Sequence, residues 1–543
     1  MAEILETKSM LANSVHSYTA ELDNAKSLIE EGDFDEALRR GIDLLAFSVS
    51  DSDVWTLIGE ALLGKAALSE ANEAARTALE LNSDNTAALI LLGKIQRSQG
   101  KIPDSIETFR HAISLDEECL SGMKEMHESV VHLSRLDTND LKVETKKCIA
   151  IYESSIMEDP TRVDLYYSLS HLYISAGRSK DSVELLTKLN EILPDCTVAK
   201  FNLAMALKDY GDAEQALEIL QNIDSSDEDF MAKVKHSIAH LHVFLLNFKE
   251  GWDVYDSRWD DSHFPSKNLK ELNSKIPCWD GTPVKHLLIW AEQGLGDEVM
   301  FATALEDASH KCNKLTVACD KRLIPIFKRS FPDDIEFLPK SASAIRGSFD
   351  AQIPIGSLPR IFRRELSDFP DRKIKFLSAN DEVVAKIRKN LKPEGMEIVG
   401  ISWFSNSINH TRLMRNSTLQ NMVEVIGSED KIFLCLQYGA VEEDLRRFEL
   451  ASGIKILNPD DIDQTNDIEN LCNLIAACDR VVSIDNVTVH LAGALGVPTT
   501  VLLPAYRDWR WGPAESKSSY WYPSLKLHAQ ESPGQWPRLS RDS

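Results

Sequence analysis

Two short stretches of this chain carry residue types and spacings suited to acid–base and anion chemistry. The first is HLLIWAEQGLGDEVMFATAL (286–305). An apolar run ends at Ala291, and Gly294 and Gly296 make a tight turn into a helix opening on Asp297 and Glu298. A carboxylate at a helix N-terminus is favoured in its ionised form by the helix dipole. Asp297 is therefore placed either as a general base for a hydroxyl or simply as a helix cap. A dinucleotide fingerprint, with Asp320 as the ribose acid, is rejected. Val299 stands where the third glycine is needed, and two carboxylates occupy the turn that a pyrophosphate would need.

The second stretch is RVVSIDNVTVHLAGALGVPTTVLLP (480–504). A strand ends at Ile484, Asp485 or Asn486 caps a short helix, and Thr488 supplies a hydroxyl on its first turn. Free N–H groups at such an end suit a diphosphate. His490 is either close enough to touch that anion or an ordinary core histidine.

The elements that must position these residues are short strands interleaved with helices. From His286 onward the apolar runs HLLIWA, KLTVAC, IEFLP, FDAQIPI, EIVGISW, KIFLCLQ, GIKILN, RVVSID and TTVLLP alternate with helical segments. That alternation predicts parallel sheets with crossover helices, whose ligands bind at the C-terminal strand ends. The expected boundaries are a first α/β domain over 285–395 and a second over 396–543. A Pro-containing linker is expected over 263–284.

Before that linker the sequence repeats. Gly59 and Gly93 lie 34 residues apart, as do Ala78 and Ala112, and Gly177 and Gly211. Apolar residues recur at three- and four-residue steps in paired helices. Trp55, Gly59, Ala71 and Ala78 of one unit, and Leu92, Gly93, Gly100, Phe109 and Ala112 of the next, resemble the tetratricopeptide repeat (TPR), as do Leu169, Tyr173, Gly177 and Pro194 further on. The expectation is an all-α TPR solenoid over 1–262 whose concave face holds a protein segment.

The chain has 543 residues, 43% hydrophobic and 27% charged, which excludes wholesale disorder. Its formal charge is −25, which argues against nucleic acid as a partner. Residues 1–284 carry 50 acidic and 28 basic side chains, and residues 285–543 carry 35 and 32, so the acidity belongs to the repeat half. Nine scattered cysteines without a CxxC pair fit reduced thiols and no metal site. With neither a signal peptide nor a transmembrane run visible, a cytoplasmic location is expected.

IWAEQGLGDEVMFATAL and VVSIDNVTVHLAGALGVPTTVLLPAYRDWRW, flanked by GWDVYDSRW, PCWDGTP, ISWFSNS, LQYG and WYPSLKL, resemble bacterial TPR glycosyltransferases. The C-terminal domain of those proteins is akin to the heptosyltransferases of glycosyltransferase family 9. The resemblance implies a GT-B fold of two Rossmann-like domains, with acceptor on the first and nucleotide-sugar on the second. It implies Asp297 as catalytic base. Gly294, Gly296, Arg412, Arg415, Gln437, Asp485, Asn486, Thr488, His490 and Gly493 are implied on the donor side. Gly493 and Gly496 would allow close helix packing. No metal or other cofactor is implied, the nucleotide-sugar being a co-substrate. Asp508, Trp509, Arg510 and Trp511 match a family motif without a derivable role. One departure is Asn486, where the family usually has Thr.

The implied function is transfer of a sugar to Ser/Thr hydroxyls of a protein held by the repeats, as in flagellin-modifying enzymes. The alternatives are an inactive GT-B fold serving as a TPR scaffold, or a glycolipid or lipopolysaccharide-type sugar transferase.

Overall fold

The computed structural model describes residues 18–29, 32–46, 48–115, 138–261, 275–341, 347–369, 375–391, 395–405, 415–439, 441–459 and 462–531, with a few single residues between them. The chain divides into two compact units, Met1–Leu193 and Pro194–Ser543.

In the first unit the helices Phe34–Leu45, Ser52–Gly64, Leu68–Leu81, Thr86–Ser98 and Ile102–Leu115 pack in succession. Small residues let their axes approach: Ala71, Ala75, Ala78 and Ala112 are fully buried. At Gly93 a Cβ would lie 2.4 Å from the Phe109 ring, so the glycine makes room for the aromatic of the next helix. Asn85 caps Thr86–Ser98 by accepting from Ala88 N (3.0 Å), and its Nδ2 reaches Ser52 Oγ (2.6 Å) in the preceding hairpin. The helix Thr138–Glu158, at 21 residues, follows, then Val163–Ser175 and Ser179–Ile192.

The second unit opens with the helices Thr197–Tyr210, Ala213–Gln221, Glu228–Phe244 and Phe248–Tyr255 and the 3-10 turn Asp256–Trp259. The helices expected to close a solenoid over 1–262 thus belong to the same compact unit as the strands. Most of the expected linker lies outside the described residues. Its described end packs, with Trp279 buried and its indole N–H donating to Thr282 O (2.7 Å).

Among the described residues ten strands follow: β1 Val284–Trp290, β2 Cys312–Cys319, β3 Ile335–Pro339, β4 Ala351–Pro354, β5 Glu397–Ser402, β6 Lys431–Cys435, β7 Ile456–Leu457, β8 Arg480–Ile484, β9 Thr499–Leu503 and β10 Leu525–Ala529. They form two wholly parallel sheets, ordered β3-β2-β1-β4 and β10-β9-β8-β5-β6-β7. All nine expected apolar runs are strands, and β10 was not expected. The helix Asp381–Leu391 packs on Ile468–Ala477 beside the second sheet. Arg388 binds Asp479 there (2.6 Å).

The strand order reverses at two points, between β1 and β4 and between β5 and β8. At such switch points neighbouring crossovers diverge and open a crevice beyond the strand ends. Residues 292–297 follow β1, and residues 485–490 follow β8.

Candidate functional site

The helices after these strand ends, Leu295–Phe301 and Val487–Ala494, pack together. A Cβ on Gly296 would lie 2.9 Å from His490 Cδ2. Neither Gly294 nor Gly296 has a positive φ. The expected tight turn is therefore not what selects glycine; at 296 the approach of His490 is. Gly493 likewise faces Tyr522, where a Cβ would come within 2.5 Å of Cγ, and Gly496 (φ +72°) ends its helix.

Asp297 Oδ1 accepts two bonds from Arg510, from Nε at 2.9 Å and Nη2 at 2.6 Å. Helix-terminus electrostatics contribute about 0.3–1 kcal/mol at such a position, whereas hydrogen bonds to charged groups contribute about 1.5–3 kcal/mol each. Arg510 is thus the partner that governs Asp297. Arg510 Nη1 also donates to Asp508 Oδ1 (2.6 Å), and its guanidinium lies 4.4 Å from the Trp509 ring. Burial opposes ionisation of Asp508, but Arg510 outweighs it and holds that carboxyl below its ordinary range. Asp485 has a longer pairing, 3.7 Å to Arg415 Nη1. Burial pushes its carboxyl up against that cation, making it the more readily protonated of the two. Arg415 also donates to Ser405 Oγ (3.2 Å). Arg412 lies outside the described residues.

Glu298 points away from this group. It is fully buried, pairs with Lys340 Nζ (2.5 Å) and accepts from Asp320 N (2.8 Å). Burial pushes its carboxyl up to about 7.

Several donor-side residues have their polar atoms committed within the chain. Gln437 Oε1 accepts from Ser402 Oγ, Trp403 N and Phe404 N at 2.9–3.0 Å. Asn486 caps its helix by accepting from Thr488 N (3.0 Å) while Nδ2 donates to Ser402 Oγ (2.8 Å) and Phe404 O (3.2 Å). His490 Nδ1 is 3.1 Å from Tyr522 OH, and burial pushes its imidazole down to about 4, so it is neutral at pH 7. Its surroundings are those of a core histidine. Thr488 Oγ1 is buried without a hydrogen-bond partner among the described residues.

Besides a cavity of about 290 Å³ with Gly493, Trp521 and Tyr522 in its wall, two more adjoin these residues. One, of about 290 Å³, lies beyond the ends of β6 and β7, with Gln437, Asn458 and Gln464 in its wall. The other, of about 240 Å³, lies between the helices Thr197–Tyr210 and Glu228–Phe244 and the strand-end residues Gln293 and Arg507–Arg510. Lys208, His236, His240 and Tyr255 contribute to its wall. Gln293 Nε2 donates to Tyr255 OH (2.9 Å), while His236 Nε2 is buried without a hydrogen-bond partner among the described residues. Burial pushes His236 down to about 4.

These repeat-side residues escape sequence reading because a lone His or Lys on a helix carries no positional signal. GWDVYDSRW does carry one. Its Arg258 is fully buried and donates to Glu292 Oε1 (2.9 Å), Ser357 Oγ (2.9 Å) and Asp256 Oδ1 (2.7 Å). That network ties the last repeat turn to the end of β1.

A tetratricopeptide-repeat model matches residues 86–119. Protein FlbA of Caulobacter vibrioides is 29% identical over 418 residues, covering 73% of this chain and 69% of FlbA. Solved structures similar to this chain include two TPR proteins. TTC0263, a thermophilic TPR protein of Thermus thermophilus, is 18% identical over 34% of this chain and 98% of its own, with a TM-score of 0.27. YrrB, a TPR protein with an unusual peptide-binding site, is 17% identical over 33% of this chain and 88% of its own, with a TM-score of 0.25. At these scores neither structure bears on the site. The chain is a TPR-containing protein with a parallel α/β C-terminal part. Among the described residues no helix is long and apolar enough to cross a membrane.

Proposed function

We propose that this chain is a glycosyltransferase of GT-B type. It would transfer a sugar from a nucleotide-sugar to Ser/Thr hydroxyls of a protein held by its repeats, flagellin being the acceptor class that the sequence resemblance suggests. The observation that carries this reading is the meeting of two strand ends from separate parallel sheets. Asp297 from one and the Asp485–His490 segment from the other stand together around Arg510.

Asp297 has Oδ1 engaged by Arg510, which leaves Oδ2 to accept a proton. The cavity beyond β6 and β7 has room for the nucleoside part of a donor, and Arg415 is a cation suited to the departing diphosphate. The cavity beneath the last repeats offers an acceptor side chain a path to the same centre.

Thermal-shift screening against UDP-, ADP-, GDP- and CMP-sugars tests the donor half: one donor class should raise Tm. Mass spectrometry of the acceptor captured by the full chain should then show a hexose- or related mass increment on Ser or Thr. Asp297→Ala should abolish that increment while leaving the donor-induced Tm shift.

A second reading, a protein-interaction scaffold, is favoured by the committed polar atoms of Gln437 and Asn486. Failure of every nucleotide-sugar to stabilise the chain would select it.

A further inference from the structure

Resting on that reading of Asp297, we propose that Arg510 is its positioning residue, held in turn through Trp509 and His240 by the helix Glu228–Phe244. The last repeats thereby complete the site.

The geometry runs without a break from repeat to carboxylate. The His240 imidazole stacks on the Trp509 indole with centroids 5.1 Å apart and planes 9° from parallel. The Arg510 guanidinium carbon lies 4.4 Å from the same indole. Arg510 then delivers two N–H groups to Asp297 Oδ1 and one to Asp508 Oδ1. A guanidinium is a rigid planar fork, so fixing its plane fixes the directions of these bonds and hence which carboxylate oxygen stays open.

The anchor is itself held. Asp508 caps the turn Trp509–Trp511 by accepting from Arg510 N (3.2 Å), and Trp509 O accepts from Tyr520 OH (3.1 Å). His240 is kept neutral by burial and by the neighbouring His236, Arg510 and Lys208, so it stacks near a guanidinium without charge repulsion.

During transfer the acceptor O–H gives its proton to Asp297 Oδ2 as the acceptor oxygen bonds to the anomeric carbon. The bond from that carbon to the diphosphate oxygen breaks, and its electron pair leaves with the nucleoside diphosphate. Arg510 gains and loses no bond; it sets where Oδ2 stands.

The test uses full-length variants and the nucleotide-sugar that most raises the wild-type Tm. Misplacement of a reacting group costs on the order of 100-fold. Arg510→Gln should therefore lower kcat by about that factor while the nucleotide-sugar KM moves less than about 2-fold. Arg510→Lys should recover about 10-fold of the loss, because one charged contact returns. His240→Ala should lower kcat by about 10-fold, and His240→Phe, which keeps a flat ring, should hold the wild-type rate. In an Asp297→Asn background Arg510→Gln should cost less than about 2-fold more. A change in KM alone, or a full additive loss in that background, would overturn the proposal.

Hydrogen exchange over residues 295–301 supplies a readout that needs no turnover. Both Arg510→Gln and His240→Ala should speed it, and unchanged exchange in either would equally overturn the proposal. If exchange responds while the wild type transfers nothing, the glycosyltransferase reading fails and the stack stands.

Discussion

Asp297 and the two glycines before it show how differently neighbouring positions are constrained. At Gly294 the backbone is ordinary (φ −70°), and a Cβ would meet only Asp297 Oδ2 at 3.5 Å. At Gly296 the Cβ would press on the buried His490 ring. Gly296→Ala should cost about 1–3 kcal/mol as overpacking does, and Gly294→Ala less than about 0.5 kcal/mol; urea unfolding of the two variants checks the contrast. Arg258 is a third case. Its fully buried guanidinium faces the equally buried Glu292, and burial pushes that carboxyl up while Arg258 pulls it back. Removing one partner of such a pair costs about 3–5 kcal/mol. Arg258→Met should therefore destabilise the second unit by that order, and Arg258→Met with Glu292→Gln by markedly less.

At the scale of elements, the short helix Val487–Ala494 depends on Asn486, which both caps it and bonds to the segment after β5. Asn486→Thr would match the family pattern and keep a capping oxygen but lose both Nδ2 bonds. It should destabilise by about 1–2 kcal/mol, read by thermal unfolding, where Asn486→Ala should cost more because the cap is lost too. The strands were legible because a parallel strand buried on both faces reads as a continuous apolar run. β10 was not, although its pattern, with Lys526 exposed and its last two residues half-buried, is close to that of β3. The repeats were legible for a similar reason: the same packing problem recurs, and small residues recur with it.

On the scale of the whole molecule, the second unit gathers buried histidines. Burial pushes both His236 and His490 down to about 4. Each binds its proton less tightly folded than unfolded, so its contribution is full above about pH 6.5 and is lost as pH falls toward 4. At 1.4 kcal/mol per tenfold, that is about 3 kcal/mol per group. Glu298 acts the other way. With its carboxyl raised to about 7, it costs stability as pH rises from about 4.5 through 7. His240 is held down in the same way, while Glu292 and Asp485 are raised as Glu298 is, so the loss on acidification is centred on the histidines. Hydrogen exchange at pH 7 and pH 5 should show protection falling within Pro194–Ser543, and His236→Phe should reduce that fall. The expected boundary near residue 262 followed composition, since the linker text differs from the helices before it. The two compact units divide near residue 193, and Trp252, Tyr255 and Arg258 of the last helices are buried against the first sheet.

Sequence alone determined the local periods: the helical repeat, the nine strands, and the two strand ends bearing Asp297 and Asp485–His490. Period and composition act over a few residues, and a single chain displays them directly. Tertiary structure decided which ends meet, because strand order places the switch points beside β1 and β8 and no local pattern encodes that order. It also decided which polar atoms are already spent, as in Gln437 and Asn486, and which residue governs Asp297. Arg510 stands 213 positions away from Asp297 in the chain, and nothing short of the folded packing brings the two together.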